Sequence, residues 1–399
     1  MFISILGRQP QLSIAELEAV YGVSSVTQVA ADVATIATEA MDLSTLGGST
    51  KVGRVVHHSA LSQGSDKDAL LAASKLIIQE YTKEWRTIEH KITLGVSVYG
   101  LQVAPRDVQK TGLLLKSALK KHGVSLRLIP NTEPALSTAV SHNNKLGLSH
   151  NKVELLVVKT KDSILIAESH GSQNITAYAR RDHGKPKRDA FVGMLPPKLA
   201  QIMLNLAVGN VTTQGENAKP SLYILDPFCG TGTVLQEALL RGSDVLGSDL
   251  SDKMVDYTQQ NLAWVTSNYK YTGSVTAITQ ADAMKHTWPE AQLLDAVVCE
   301  TYLGQPFSAP PSPPKLKEVV GNCNHIISEF LKNIQPQLRP DTPLCIAVPS
   351  WRSKDGYFTH LPLIRTLSEL GYELQREPLI YARPDQVVAR ELLVLKTTL

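Results

Sequence analysis

The sequence predicts an α/β chain. Its second half is a doubly wound sheet of seven strands, and smaller α+β structure precedes it. Three observations predict this. From residue 220 onward, short apolar runs alternate with longer runs of helical period, the pattern of successive βαβ units. At the head of that region stands Leu222-Tyr-Ile-Leu-Asp-Pro-Phe-Cys-Gly-Thr-Gly-Thr233, an apolar strand, a glycine turn and the start of a helix that Gly242 stops. Before residue 173, short strands and helices alternate as in small α+β modules.

Composition sets the class. A chain of 399 residues holds two or three domains, and 43% hydrophobic with 19% charged residues describes a soluble globular protein. No apolar run approaches the roughly 18 residues that span a membrane. The start, Met1-Phe-Ile-Ser-Ile-Leu-Gly, lacks a basic region and a cleavage site, so no signal peptide is expected. Cys229, Cys299, Cys323 and Cys345 form no close pair, which argues against structural zinc, any other metal site or a disulfide framework and for a reducing cytoplasm. A net charge of +3 is too weak to indicate nucleic acid, so the distribution of charge matters more than its sum.

Taken in order, residues 1–61 read as an N-terminal α+β module. It has strands over 2–6, 26–29, 33–37 and 52–57, and a helix opened by a capping box of Ser13 and Glu16 and closed at Gly22. Residues 62–172 form a second unit, with helices over 66–81 and 108–122 and strands over 92–98, 126–129, 154–159 and 163–168. Lys116, Lys120, Lys121 and Arg127 make a basic stripe here, suited to a phosphate backbone or to plain solvation of a helix face. Residues 173–198 read as a basic linker or docking loop, because 180–188 packs Arg180, Arg181, Lys185, Lys187 and Arg188 among Gly and Pro. Residues 199–399 form the doubly wound domain. Its strands are expected at 222–225, 245–248, 275–280, 295–299, 344–348, 372–376 and 391–396, and its helices at 233–241, 252–265, 316–334 and 357–370. The proline-rich 305–314 is a stiff loop bordering the site.

The glycine turn narrows the ligand. It lacks the Gly-Lys-Ser/Thr of a phosphate loop and the third glycine of a dinucleotide fingerprint. Asp226 ends the strand before the turn, and a carboxylate there suits an amine-bearing, cationic ligand. Asp249, 23 residues on, is placed to grip a ribose diol. Together they favour S-adenosylmethionine, and Asp226-Pro-Phe-Cys-Gly-Thr-Gly-Thr233 resembles motif I of class I methyltransferases that act on exocyclic amines. Phe228, Gly230 and Gly232 belong to the same cofactor set, and Asp282, at the end of the third strand, is placed for the adenine.

The fourth strand ends Cys299-Glu-Thr-Tyr-Leu-Gly304. Amine methyltransferases carry Asp-Pro-Pro-Tyr or Asn-Pro-Pro-Tyr there, because the lone pair of a base amine is conjugated into the ring. A carboxylate or amide oxygen with a backbone carbonyl orients that amine and disperses the developing charge, and an aromatic ring stacks on the base. Here Glu300 stands in the acid's place, Thr301 and Tyr302 replace the prolines, and Gly304 is kept. Glu300 and Tyr302 then form either a rearranged working clamp or the remnant of a lost one. The intact cofactor half favours the working clamp.

Four stretches carry a wider likeness: 5–18, then 137–142 through 155–158, then 188–207, then the glycine turn, with 381–392 in support. On them the chain resembles the THUMP-domain tRNA guanine-N2 methyltransferases. The resemblance implies a THUMP-like RNA-binding domain over 62–172, S-adenosylmethionine as cofactor and tRNA as substrate, with Glu300 in the position of the catalytic acid. Lys116, Lys120, Lys121, Arg127, Arg180, Arg181, Lys185 and Lys187 become candidate RNA contacts. A small activating protein partner and the oligomeric state stay open. So do two other functions: a tRNA-binding protein that holds the cofactor without turnover, and a DNA amino-methyltransferase. A small-molecule methyltransferase is disfavoured by the long basic-striped N-terminal part.

Overall fold

A computed structural model describes residues 1–61, 64–189, 194–209, 221–384 and 386–398. Parts of two stretches quoted above, 190–193 and 385, lie outside the described residues. The chain divides into two compact units, Met1–Ala177 and Tyr178–Leu399.

The first unit runs β1 (Phe2–Leu6), α1 (Pro10–Tyr21), β2 (Val26–Ala30), β3 (Val33–Ile36), β4 (Ser49–Ala60), α2 (Asp66–Trp85), β5 (Ile92–Tyr99), α3 (Pro105–Lys121), β6 (Leu126–Leu128), α4 (Thr138–Asn143), β7 (Lys152–Lys159) and β8 (Ser163–Ser172). Its strands make one sheet in the order β2-β3-β1-β4-β8-β7-β5-β6. The boundary expected near residue 61 falls at the end of β4, which pairs with β1 on one edge and β8 on the other. The two expected modules therefore share a sheet. A buried ion pair of Lys51 on β4 with Glu154 on β7 ties them further, and Lys51 Nζ also donates to the Leu136 carbonyl at 2.7 Å.

Two local expectations in this unit change. Helix α1 starts at Pro10, three residues before Ser13, because proline is tolerated in a first turn where no N–H is needed. Ser13 and Glu16 do not form a capping box. Ser13 Oγ donates to the Gly48 carbonyl at 2.7 Å, and the fully buried Glu16 carboxylate accepts from Gly47 N and Gly48 N, each at 2.8 Å. The close approach explains the glycine: a Cβ at Gly48 would lie 2.8 Å from Ser13 Cα. Helix α4 was not foreseen; it is six residues long, too short to show a period.

In the second unit the elements are α5 (Ile175–His183), which contains the boundary, α6 (Pro197–Val208), β9 (Tyr223–Asp226), α7 (Thr233–Leu240), β10 (Asp244–Asp249), α8 (Asp252–Asn268), β11 (Val275–Gln280), β12 (Ala296–Glu300), α9 (Pro313–Ile334), β13 (Pro343–Arg352), β14 (Phe358–Thr359), β15 (Tyr372–Leu374), β16 (Leu379–Tyr381) and β17 (Val388–Thr397). The sheet order is β11-β10-β9-β12-β13-β17-β15, with β14 on β13 and β16 on β17. The seven expected strands form the main path, and β14 and β16 are two short additions. Strands β9 to β13 on that path are parallel, while β17 runs antiparallel to β13 and β15. The chain reverses its direction of sheet growth at β9, so the carboxyl ends of β9, β10 and β12 face one crevice. Alternation along the strands gives two covered faces. Val297, Cys299, Leu344, Ile346, Leu393 and Leu395 join α9 in one core.

Three expectations shift here as well. The linker forms helix α5 over its first part. The last two prolines of 305–314 open α9 instead of remaining loop, with Ser312 as N-cap residue. The helix expected over 357–370 is replaced by β14 and two short 3-10 turns, Pro362–Thr366 and Ser368–Leu370. Pro362 ends any helix reaching it from the N-terminal side, which the periodicity of Leu361, Ile364 and Leu367 concealed.

The Glu16 contact gives a testable result. Glu16→Ala strands two buried amides and lowers the stability of the first unit by about 2–4 kcal/mol. Hydrogen exchange should show Gly47 and Gly48 losing protection, and unchanged exchange at both amides would contradict this account.

Candidate active site

The crevice is built from acids. Asp226, at the end of β9, is 2% exposed, and its Oδ1 accepts from Phe228 N at 3.1 Å. Burial pushes its carboxyl well above the usual carboxylate range, and the neighbouring charges of Asp249 and Glu300 push the same way. Asp249, at the end of β10, is raised by burial too, against the opposing effect of two backbone donors. Those donors are Ser251 N and Gly230 N, both at 2.9 Å. The Asp249–Gly230 bond fastens the glycine turn to the neighbouring strand end.

The turn needs its glycines. Gly230 and Gly232 have φ of +54° and +79°, the left-handed region that side chains disfavour. A Cβ at Gly232 would also lie 3.0 Å from Thr258 Cγ2, whereas one at Gly230 would make only an ordinary contact with the Phe228 carbonyl, at 3.9 Å. Phe228 packs edge-on against Phe330 at 5.0 Å, so it braces the turn from the α9 side. Asp282 follows β11; its Oδ1 accepts from Met284 N at 3.0 Å and shapes the loop there.

These residues fit a cationic, ribose-bearing cofactor. A desolvated acid with one oxygen lacking a donor among the described residues calls for a cation. A second acid sits 23 positions on and is bonded to Gly230 N of the turn. Asp226 would take the ammonium group, Asp249 the ribose hydroxyls, and the Asp282 loop the adenine edge.

The fourth strand ends as follows. Glu300 Oε1 accepts from Nε of Arg390 on β17 in a close ion pair. Thr301 N and Oγ1 both donate to the Ala347 carbonyl on β13, at 3.0 and 2.9 Å. Those two bonds fix the backbone that a proline stiffens in the Asp-Pro-Pro-Tyr form. Tyr302 is 42% exposed, so its ring is available for stacking. Gly304, at φ +77°, lies where a Cβ would meet Val319 Cγ1 at 3.0 Å.

The basic segment 180–188 is engaged inside this unit. Arg181 is buried and grips Glu237 of α7 through Nε at 2.8 Å and Nη2 at 3.2 Å. Lys185, 4% exposed, donates to Thr231 Oγ1 at 3.2 Å and Thr233 Oγ1 at 2.9 Å. Asn261 of α8 joins the Lys187 backbone to the Thr231 carbonyl. Arg180 donates to Asn268 Oδ1 at 2.7 Å and lies over the Tyr269 ring, and the Lys187 ammonium lies 5.3 Å from the Tyr257 ring centre. Arg181 and Lys185 thus brace the glycine turn from behind and have no cation free for phosphate, which corrects their reading as RNA contacts. Sequence reasoning missed this role. A run of like charges usually marks a solvated loop, and nothing local reveals that Glu237 and two threonines wait beneath it.

In the first unit, Lys120, Lys121 and Arg127 are exposed and Lys116 is half-buried. Val108, Thr111, Leu115 and Leu119 turn the opposite side of α3 inward. The stripe is a real surface feature of that unit.

Comparison with known proteins agrees with this geometry. Residues 186–349 match the family described as RMKL-like, methyltransferase domain. The chain is 29% identical over 194 residues to a tRNA (guanine(10)-N2)-dimethyltransferase of Methanothermobacter thermautotrophicus, covering 49% of this chain and 48% of that one. It is 30% identical over 116 residues to the protein of the same name from Pyrococcus abyssi, covering 29% and 30%. The chain thus spans about half or less of the length of these relatives. The crystal structure of TrmN from Thermus thermophilus shares the fold over 99% of both chains, at a TM-score of 0.51 and 18% identity.

Burial lowers the Lys185 ammonium to about 8 from 10.5. Between those values the unfolded chain binds more protons than the native one, so this group makes stability rise with pH across that window, and below it the group's cost is constant. Lys185→Met should flatten the rise, as measured by thermal unfolding at pH 7.5 to 10; an unchanged slope would contradict the burial. Over residues 186–349 the second unit is similar to the family described as RMKL-like, methyltransferase domain.

Proposed function

We propose that the protein is an S-adenosylmethionine-dependent RNA methyltransferase that methylates the exocyclic N2 amine of a guanosine in tRNA. One observation carries the reading: the buried carboxyl of Asp226, coupled to Asp249 and Glu300 at adjoining strand ends. It supports a reading in which a cation site for a methyl donor adjoins an acceptor for an amine. The curated relatives, named as tRNA (guanine(10)-N2)-dimethyltransferases, support the substrate class.

When bound, S-adenosylmethionine supplies an electrophilic methyl group on a positively charged sulfur. The chain's own residues do the rest. Glu300 Oε2, without a donor among the described residues, accepts an N–H of the guanine amine. The Thr301 carbonyl accepts the other, as a backbone carbonyl does in the Asp-Pro-Pro-Tyr form. Localising the lone pair on nitrogen aims it at the methyl, and Glu300 takes the proton that nitrogen sheds once the N–C bond has formed. Tyr302 stacks on the base. The exposed Lys120, Lys121 and Arg127, with Lys116, hold the RNA backbone on a THUMP-like first unit.

Two experiments test this. With methyl-labelled S-adenosylmethionine and unmodified tRNA transcripts, digestion should yield labelled N2-methylguanosine. Glu300→Ala should lower transfer by roughly 10²-fold or more while tRNA binding is kept. Label on adenosine or cytidine would move the target, and no label with both ligands bound would leave a binding protein. Lys120→Ala with Lys121→Ala should weaken tRNA binding and reduce the salt slope by about 1 to 2. An unchanged slope would remove the stripe from the interface.

A further inference from the structure

A glutamate in place of aspartate has one more rotatable bond, and here it follows no proline. Left alone, its carboxylate would sample several rotamers and lose the placement that amine activation needs. The structure holds a counterpart two strands away. Glu300 pairs in register with Ala347 of β13, and Ala347 pairs with Leu392 of β17. Arg390 lies two positions from Leu392 toward the carboxyl edge, opposite Pro349. Alternation puts Glu300, Ala347 and Arg390 on one face. Adjacent strands lie about 4.8 Å apart and two residues add about 6.6 Å along the strand, so the two residues start roughly 12 Å from each other across β13. Ala347 contributes only a methyl group between them. The long arginine arm crosses that gap, and its Nε meets Glu300 Oε1.

The pair is well protected. Arg390 is 8% exposed, and it also walls a cavity of about 270 Å³ with Asp182, Asp189, Pro196 and Arg383. An ion pair in such surroundings is costly to build for stability alone, whereas it fixes direction well. It occupies one oxygen of Glu300 and leaves Oε2 without a donor among the described residues.

We propose that Arg390 is a positioning residue for methyl transfer. It holds the Glu300 carboxylate by Oε1 so that Oε2 faces the amine of the target base, and so makes up for the longer arm and the absent prolines. This rests on the reading of Glu300 as the amine acceptor. Arg390 touches neither cofactor nor base and acts only through Glu300.

The test is a double-mutant cycle on the full chain with S-adenosylmethionine and tRNA transcripts. Arg390→Gln should lower kcat by roughly tenfold or more, with KM for tRNA and the affinity for S-adenosylhomocysteine within about twofold of wild type. Retained cofactor affinity shows that the variant is folded. Arg390→Lys should recover part of the loss, since it keeps the charge without the fixed fork. Glu300→Gln with Arg390→Gln should be no slower than Glu300→Gln alone, because the arginine then has nothing to position. Losses that multiply in the double variant, or an Arg390→Gln enzyme with wild-type kcat, would overturn the role of Arg390 while leaving the enzyme reading in place. A wild-type protein that binds both ligands and transfers no methyl would remove the enzyme reading, and the role of Arg390 with it.

Discussion

The second unit depends on one costly arrangement, the convergence of Asp226, Asp249 and Glu300 at the ends of adjoining strands. Burial raises the proton affinity of Asp226, and the charges of Asp249 and Glu300 raise it further. The fold offsets the cost unevenly. Asp249 receives two backbone N–H groups, and Glu300 receives a guanidinium. Asp226 receives a single amide and carries the largest share of the penalty. A site strained in this way is relieved by a cation, and that links the fold to a positively charged methyl donor.

The glycine turn is held from both sides. Asp249 binds Gly230 N from the sheet side, and Lys185 and Asn261 bind Thr231 from behind. The Arg181–Glu237 pair anchors the helix that follows. A cation at a helix N-terminus opposes the helix dipole, so Lys185 is an expensive brace. Burial adds to the cost, and it is burial that lowers the Lys185 proton affinity.

Much of this was legible in the sequence, for physical reasons that differ by element. The buried parallel strands announced themselves as short apolar runs, and the glycine turn did so because only glycine accepts its backbone angles. The places of Asp226 and Asp249 at strand ends followed from the apolar runs before them. Long-range pairing was not legible. Arg390 and Glu391, adjacent charges in a largely apolar strand, signal ionic partners, and both have them: the partly buried Glu300 on one side and the exposed His360 on the other. Which partners they take depends on strand order, which no local pattern records. The basic segment misled for the same reason, since its buried contacts come from α7 and α8. Proline and short turns hid β14, and the shared sheet of the first unit emerges only once β4 is seen to pair on both edges.

The central claim is that the acidic crevice takes a cationic ligand on Asp226. Calorimetric titration of S-adenosylhomocysteine, whose ammonium group would meet that carboxyl, tests it most directly. In two buffers of different ionisation enthalpy near neutral pH, the heats give the protons exchanged on binding. Burial favours the protonated Asp226 carboxyl and a bound ammonium favours the ionised one, so the account predicts proton release that Asp226→Asn abolishes. Binding without proton release, or the same release from the Asp226→Asn protein, would contradict it.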